Sequence, residues 1–273
     1  MLLKIKSYLK SSPDEFFNRF WGPFWKNNDK TCKRILLVSM LTCLFNYFYL
    51  IVNGYGGPDA ICEGVHYYIG ENTAVKSARW FIPWITSFFG KNVVIPLVIV
   101  VFYCLAIAIS AFIIFKLLDI KNSGFQILTV SAMVCFPVVT RQFAYLYTAL
   151  AYAISFLMVV LAALLLRRRK LIPFLLGTCC LLLMLGSYQS YIGAAAIVLI
   201  CFLFDMVKKR AVSESLKDVG IYVLSGIIAG VLDLIIANAA MQQRGIDGYD
   251  RVSSISLSES IKYLGFSLKA SYT

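Results

Sequence analysis

An uncharged apolar run in the first half of the chain decides the fold. Its residues are Val93-Val-Ile-Pro-Leu-Val-Ile-Val-Val-Phe-Tyr-Cys-Leu-Ala-Ile-Ala-Ile-Ser-Ala-Phe-Ile-Ile-Phe115. A helix needs about 20 such residues to cross the hydrocarbon core of a bilayer, so the run predicts a transmembrane helix. The composition agrees, because 60% of the residues are hydrophobic and 15% are charged, against roughly half and a quarter in soluble domains. We therefore predict an all-α, polytopic membrane protein.

Further apolar runs on both sides of this one bring the prediction to about seven transmembrane helices. The pair at 171–204 is too short for two full crossings, because about 34 residues make about 51 Å of helix and two bilayer cores measure about 30 Å each. We therefore expect the hairpin apex, residues 186–190, to lie below the membrane surface. The first, second, fourth and seventh runs carry the strongest signal. In chain order the seven runs are 35–52, 93–115, 123–139, 143–166, 171–186, 190–204 and 219–240.

The distribution of Lys and Arg predicts a cytoplasmic N-terminus. Most of the 26 basic residues, including the blocks 167–170 and 208–210, then fall on the cytoplasmic side. The extracytoplasmic tail is polar and follows an odd number of spans, so we expect a further C-terminal part beyond Thr273. The three predicted regions are a cytoplasmic amphipathic N-terminal segment (1–34), a transmembrane domain (35–240) whose extracytoplasmic loop 53–92 carries the candidate active site, and the extracytoplasmic tail (241–273).

The net charge of +12 is explained by the membrane. Basic residues that fix the topology and meet anionic lipid headgroups account for most of it. The sequence contains neither a P-loop nor a dinucleotide-binding glycine pattern. Membrane lipids are therefore expected partners, and nucleic acid is not.

The cysteines predict no disulfide framework. Of the eight, only Cys62 faces the extracytoplasmic side, where it has no partner. The others lie in or beside predicted spans, where thiols act as small hydrophobes. No cysteine and histidine cluster has the spacing of a zinc site.

The first extracytoplasmic loop holds carboxylates at the membrane surface. It opens with Asn53-Gly-Tyr-Gly-Gly-Pro-Asp59, where the glycines allow a sharp turn. If an interfacial helix begins at Pro58, the side chains of Asp59, Glu63 and His66 share one of its faces. Two carboxylates so placed can bind a cation, or one can act as general base toward a hydroxyl group. The alternative is a solvated polar face, and the need for a divalent cation on these three side chains stays open.

Aromatic residues follow in the same loop. Trp80, Trp84 and Phe88 recur at helical spacing around Pro83, a pattern typical of a second interfacial helix in an aromatic belt.

Polar side chains inside the predicted spans lie toward the same, outer side. Asp233 is a carboxylate in the seventh span, and such a group is functional or paired by default. The alternative for Asp233 is a structural hydrogen bond between helices. The convergence of polar groups predicts one outward-facing cavity. The other groups are Arg141, Gln142, Tyr188, Gln189 and Tyr191.

Three stretches resemble membrane glycosyltransferases of the GT-C class, and among these the bacterial type II Gtr glucosyltransferases. They are Asn46-Tyr-Phe-Tyr49, Asn53-Gly-Tyr-Gly-Gly-Pro-Asp59 and Ala78-Arg-Trp-Phe-Ile-Pro83. The resemblance implies a GT-C-like enzyme of the bacterial inner (plasma) membrane that modifies O-antigen or other surface polysaccharide. It implies transfer of a sugar, glucose in that family, from a polyprenyl-phosphate donor to a polysaccharide or lipid-linked acceptor outside the cytoplasm, with inversion.

The same resemblance implies roles for single residues. Asp59 would be the general base, with Glu63 as its partner or as a cation ligand. The family often has two adjacent acidic residues at this point, whereas here Asp59 is followed by Ala60. Arg79 would meet the donor phosphate through its planar guanidinium. The other predicted substrate-binding residues are Lys76, Arg141, Tyr188, Gln189 and Asp233.

Two other functional classes stay open at this stage. A transporter or flippase for a lipid-linked or anionic substrate would also explain Asp233 and the hairpin apex. It accounts less well for the first outer loop, because transport sites lie near the bilayer midplane beside broken helices. A non-enzymatic assembly or scaffold subunit is the third class.

Overall fold

The computed structural model describes residues 29–53, 71–88, 95–136, 142–143, 146–209 and 212–245. Within these ranges the chain is helical and forms no strand. A 3-10 turn, Gln189–Tyr191, joins the seventh and eighth helices. The helices are α1 (Asp29–Asn53), α2 (Glu71–Lys76), α3 (Ile82–Phe88), α4 (Pro96–Leu117), α5 (Ser123–Cys135), α6 (Leu146–Leu166), α7 (Leu171–Ser187), α8 (Ile192–Lys209) and α9 (Val212–Gln243).

Four of these helices are long and apolar enough to cross a membrane. They coincide with the four runs that carry the strongest sequence signal, so the all-helical, polytopic membrane class is confirmed. The other three predicted spans correspond to shorter apolar helices, Ser123–Cys135, Leu171–Ser187 and Gln189–Cys201. The first of these measures about 20 Å, well short of a core of about 30 Å. The long helices are Lys30–Asn53, Pro96–Leu117, Thr148–Leu166 and Leu216–Gln243.

Helix α6 lies at the centre of the bundle. It packs against α4 on one side and α7 on the other, and it also contacts α3, α8 and α9. Alanines along α6 are fully buried, among them Ala149, Ala153 and Ala162, and such small residues let helix backbones approach closely. On α7, a Cβ atom at Gly177 would lie 2.8 Å from Leu166 Cγ, so glycine is needed for this contact.

Helix α9 is attached to the bundle by polar contacts along one face. Its other faces are exposed and apolar, as expected for a helix that borders lipid. In a membrane, helices associate through close packing and interhelical hydrogen bonds, because lipid is as apolar as leucine. The contacts are Asp218 with Arg169, the Tyr222 hydroxyl with the carbonyl of Ala163 (2.6 Å), Ser225 with Thr178 (2.9 Å) and Asp233 with Trp80 (2.7 Å).

Cys43 of α1 and Cys104 of α4 form a disulfide, which corrects the expectation that every cysteine within the spans is a thiol. The two helices pack side by side, and the Cα atoms of these residues lie 6.6 Å apart. The pairing joins positions 61 residues apart, a separation that carries no pairing signal in a single sequence.

The two ends of the bundle differ in chemistry. One end carries basic side chains: Arg34 donates to Gln126 at 2.6 Å, and Arg167 donates to the carbonyl of Leu117 at 3.2 Å. The Arg169–Asp218 pair lies at this end as well. The opposite end carries tyrosines, amides and residues 71–88 of the first loop, and the candidate site lies there.

Candidate functional site

Residues 78–81 of the first loop, here called the 78–81 segment, lie on the hairpin apex. The backbone N–H of Phe81 donates to the carbonyl of Gly186 at 2.8 Å. The side-chain amide of Gln189 donates to the carbonyl of Ala78 at 3.4 Å. The apex is therefore covered by the 78–81 segment of the first loop.

The turn that ends α2 sets the direction of this segment. Backbone N–H groups of Ala78 and Arg79 donate to the carbonyls of Val75 and Ala74 at 2.8 and 2.9 Å. Ala78 has a φ of 57°, in the left-handed region that glycine usually occupies. Because this conformation costs a non-glycine residue about 1 kcal/mol or more, surrounding contacts must hold it. Pro83 then lies in the first turn of α3, a position that suits its fixed φ.

Trp80 joins three parts of the fold. Its indole N–H donates to Asp233 Oδ1 at 2.7 Å, and Asp233 is only 6% exposed. Its ring lies directly on Gly186, where an added Cβ would come within 2.4 Å of indole Cε2. The ring thus bridges the first loop, the end of α7 and the C-terminal half of α9.

The side chain of Arg79 contacts Tyr188, whereas that of the adjacent Trp80 contacts Asp233. Its guanidinium carbon lies 4.4 Å from the centre of the Tyr188 ring, a distance at which cation and ring attract. Within the described ranges no carboxylate forms an ion pair with it. The Tyr188 ring in turn meets the edge of Tyr152, with ring centres 4.6 Å apart.

The side-chain amide of Gln142 forms hydrogen bonds with two tyrosines next to these rings. Gln142 accepts from the Tyr103 hydroxyl at 2.6 Å and donates to the Tyr191 hydroxyl at 3.1 Å. The Tyr191 ring lies 6.1 Å from that of Tyr188. The 3-10 turn is therefore fixed to α4 through Gln142, and the ring beneath Arg79 is fixed with it.

The structure brings together six of the residues singled out from the sequence, namely Arg79, Gln142, Tyr188, Gln189, Tyr191 and Asp233. Lys76 is exposed at the end of α2. In the described ranges, no group of three or more histidine, cysteine or acidic side chains is placed to hold a metal ion. The remaining candidates, Asp59, Glu63, His66 and Arg141, lie outside the described residues.

Sequence reasoning missed part of this arrangement. The sequence predicts Trp80 as part of an aromatic belt, whereas its indole N–H donates a hydrogen bond within the protein, to Asp233. The sequence offered one indication of this hydrogen bond: a tryptophan lies beside Arg79, and a predicted span contains a carboxylate, Asp233. Gly186 and Tyr152 gave no signal of their own, because their importance depends on which side chain lies opposite.

A comparison with protein families gives one match. A family model described as "Glucosyl transferase GtrII" matches residues 63–269. The matched range contains the 78–81 segment, the hairpin apex and Asp233, and it begins four residues after Asp59. Comparisons with curated proteins and with solved structures gave no match.

Proposed function

Because this chain belongs to the GtrII glucosyltransferase family, we propose that it transfers glucose from a polyprenyl-phosphate donor to a surface polysaccharide or a lipid-linked acceptor. The proposed site faces the extracytoplasmic side of the bacterial inner membrane. Membership of the family supports glucosyl transfer as such. The donor and the acceptor are those that the family resemblance implies, and the side is inferred from the distribution of Lys and Arg.

One observation carries the proposal, namely the position of Arg79. Its guanidinium rests on Tyr188 at the end of the bundle, and no carboxylate neutralises it within the described ranges. A guanidinium whose face is stacked keeps its N–H groups in the plane, where they suit the oxygens of a phosphate. A polyprenyl chain lies in the bilayer, so its phosphate is held at the membrane surface. This arrangement supports Arg79 as a ligand of the donor phosphate.

The proposed reaction is a single displacement. The acceptor hydroxyl oxygen attacks the anomeric carbon while the bond from that carbon to the phosphate oxygen breaks, which inverts the configuration. Polyprenyl phosphate leaves with the electron pair, and the hydroxyl proton passes to the carboxylate of Asp59 as general base. Arg79 stabilises the charge that develops on the leaving phosphate. The roles of Asp59 and Glu63 rest on the sequence and the family resemblance, since both lie outside the described residues.

The charge distribution supports the proposed orientation. Arg34, Arg167 and Arg169 lie at the end of the bundle opposite the site. Basic residues of membrane proteins concentrate on the cytoplasmic side. The N-terminus is then cytoplasmic, and the 78–81 segment faces outward, where surface polysaccharide is modified.

Replacement of Arg79 tests the proposal. Arg79→Gln is expected to weaken binding of polyprenyl-phosphate glucose to vesicles that contain the protein by at least tenfold, because a charge-assisted hydrogen bond is worth about 1.5–3 kcal/mol. Arg79→Lys should recover only part of the loss, since lysine lacks the planar fork. Lys121→Gln is the matched control, since this lysine is exposed, lies between α4 and α5, and among the described residues forms an ion pair with Asp119 alone. Donor affinity in Arg79→Gln equal to that of the unmodified protein would exclude Arg79 as the phosphate ligand.

A further inference from the structure

The carboxylate of Asp233 is held by the first loop rather than by a cation. Its Oδ1 accepts the Trp80 indole N–H at 2.7 Å, across 153 positions of sequence. Within the described ranges Asp233 takes part in no ion pair, although Arg79 is the neighbour of Trp80 in the chain. The carboxylate therefore fixes the indole and leaves the guanidinium available to an anion.

Gly186 makes this contact possible. The Trp80 ring occupies the space where any other residue would place its Cβ, with the nearest ring atoms at 2.4, 2.6 and 2.7 Å from that point. The neighbouring backbone bond from Phe81 to Gly186 runs beside the ring. Trp80 is thus held from two directions, by the backbone of α7 and by the side chain of Asp233.

The position of Arg79 follows from that of Trp80. The two residues are adjacent, and the backbone before them is already bent through the left-handed conformation of Ala78. The guanidinium of Arg79 lies on the ring of Tyr188, and the indole of Trp80 lies on Gly186. Tyr188 follows Gly186 by two residues, so adjacent side chains of the 78–81 segment rest on neighbouring parts of the apex. If the Trp80 indole loses the Asp233 acceptor, the 78–81 segment can rotate about the contact between Trp80 and Gly186. The guanidinium of Arg79 then moves away from the Tyr188 ring.

We propose that Asp233 is a positioning residue that acts through Trp80: it serves as a hydrogen-bond acceptor that holds Arg79 in place for the donor phosphate, and it does not contact the substrate as a charge. This inference rests on the proposed function, because it assigns Arg79 to the donor. It makes one chemical distinction. An acceptor role needs an oxygen at the Oδ1 position, whereas a charge role needs the carboxylate itself.

Four variants of the full chain in lipid vesicles separate these roles. Asp233→Leu removes the acceptor, and Asp233→Asn keeps an amide oxygen that accepts the indole N–H. Trp80→Phe removes the donor but keeps a ring. Trp84→Phe is the matched control, because Trp84 is 72% exposed and lies four residues further along the chain, in α3.

Two readouts are measured on each variant. The first is the Kd for polyprenyl-phosphate glucose. The second is the rate at which phenylglyoxal modifies Arg79, followed by mass spectrometry of the peptide, which needs no donor. Asp233→Leu and Trp80→Phe should each raise the Kd about three- to tenfold, as for the loss of one interhelical hydrogen bond, and should speed the modification of Arg79. Combining them should add little, because both remove the same contact. Asp233→Asn should recover most of both losses.

The outcomes decide between the roles. In one outcome, Asp233→Asn raises the Kd as much as Asp233→Leu does, while Trp80→Phe leaves the Kd unchanged. The negative charge of Asp233 would then be what matters, and the proposal would be wrong. Indistinguishable values in all variants would also overturn it. If the unmodified protein binds no polyprenyl-phosphate glucose, the proposed function fails by itself. The modification rates of Arg79 then decide the positioning role, since the same order among the variants supports it and uniform rates refute it.

Discussion

Replacing Gly186 with alanine places a methyl group inside the indole of Trp80. The added Cβ would lie 2.4 Å from ring Cε2, 2.6 Å from Cζ2 and 2.7 Å from Nε1. Carbon atoms in contact prefer about 3.5–4.0 Å, so the ring must retreat by about 1 Å. A shift of that size takes the indole N–H out of hydrogen-bonding range of Asp233, from its present 2.7 Å.

The expected cost combines three terms. Overpacking of a well-packed site costs about 1–3 kcal/mol, and the lost hydrogen bond adds about 0.6 kcal/mol in a membrane protein. Alanine gains at most about 1 kcal/mol over glycine in helix propensity, and less at Gly186, which lies one residue before the end of α7. The free energy of unfolding should fall by about 1–3 kcal/mol, and each kcal/mol lowers Tm by about 2–4 °C at this chain length.

The assay compares Gly186→Ala with Gly193→Ala. An added Cβ at Gly193 meets nothing within 4 Å, so this substitution should be neutral or slightly stabilising. Tm is measured on the purified protein in detergent, and glucosylation of surface polysaccharide is measured in cells with protein levels matched. Gly186→Ala should lower both Tm and glucosylation, whereas Gly193→Ala should lower neither. Equal Tm and equal glucosylation in the two variants would show that the indole does not need the space above Gly186.

Two further predictions concern residues outside the described ranges. Asp59→Asn should reduce glucosylation by about 10²–10⁴, the usual contribution of a positioned general base, with insertion and protein level intact; modification at the level of the unmodified protein would remove Asp59 from the reaction. Cys62 should react with a membrane-impermeant thiol reagent in intact cells, whereas a cysteine introduced by Arg168→Cys should react only after the membrane is opened. The reverse pattern would contradict the proposed orientation.

The fold was predictable where the signal is long and free of charge. Runs such as 93–115 predict the strongest spans, because only a helix can cross a bilayer with its backbone satisfied. The positions at which the helices end were predicted less accurately. The sequence predicts one span over 123–139, whereas α5 ends at Cys135 and Phe136 is extended, with φ −61° and ψ 133°. Pro137 follows Phe136, and a residue before proline is disfavoured in the helical conformation, so this end was available in the sequence.

The candidate site was predictable only in part. Asp233 was predictable because it is a carboxylate within a predicted span. Tyr188 and Gln189 were predictable because the hairpin 171–204 is too short for two full crossings, which places its apex among the candidate residues. The partners were not predictable. Trp80 and Asp233 lie 153 residues apart, and their hydrogen bond depends on how α2, α7 and α9 pack. A single sequence carries the type of each side chain but not the neighbour that gives it a role.

The position of Asp233 also bears on the alternative of a transporter or flippase. Transport sites lie near the bilayer midplane, where broken helices expose backbone groups to the substrate. Helix α9 is continuous from Val212 to Gln243, and the carboxylate of Asp233 accepts a hydrogen bond from the Trp80 indole of the first loop. A substrate moving along α9 would first have to break that hydrogen bond. Arg79 rests on Tyr188 at the hairpin apex, beside the first loop. The described residues therefore favour chemistry at the end of the bundle that holds the hairpin apex over passage through the middle of the bundle.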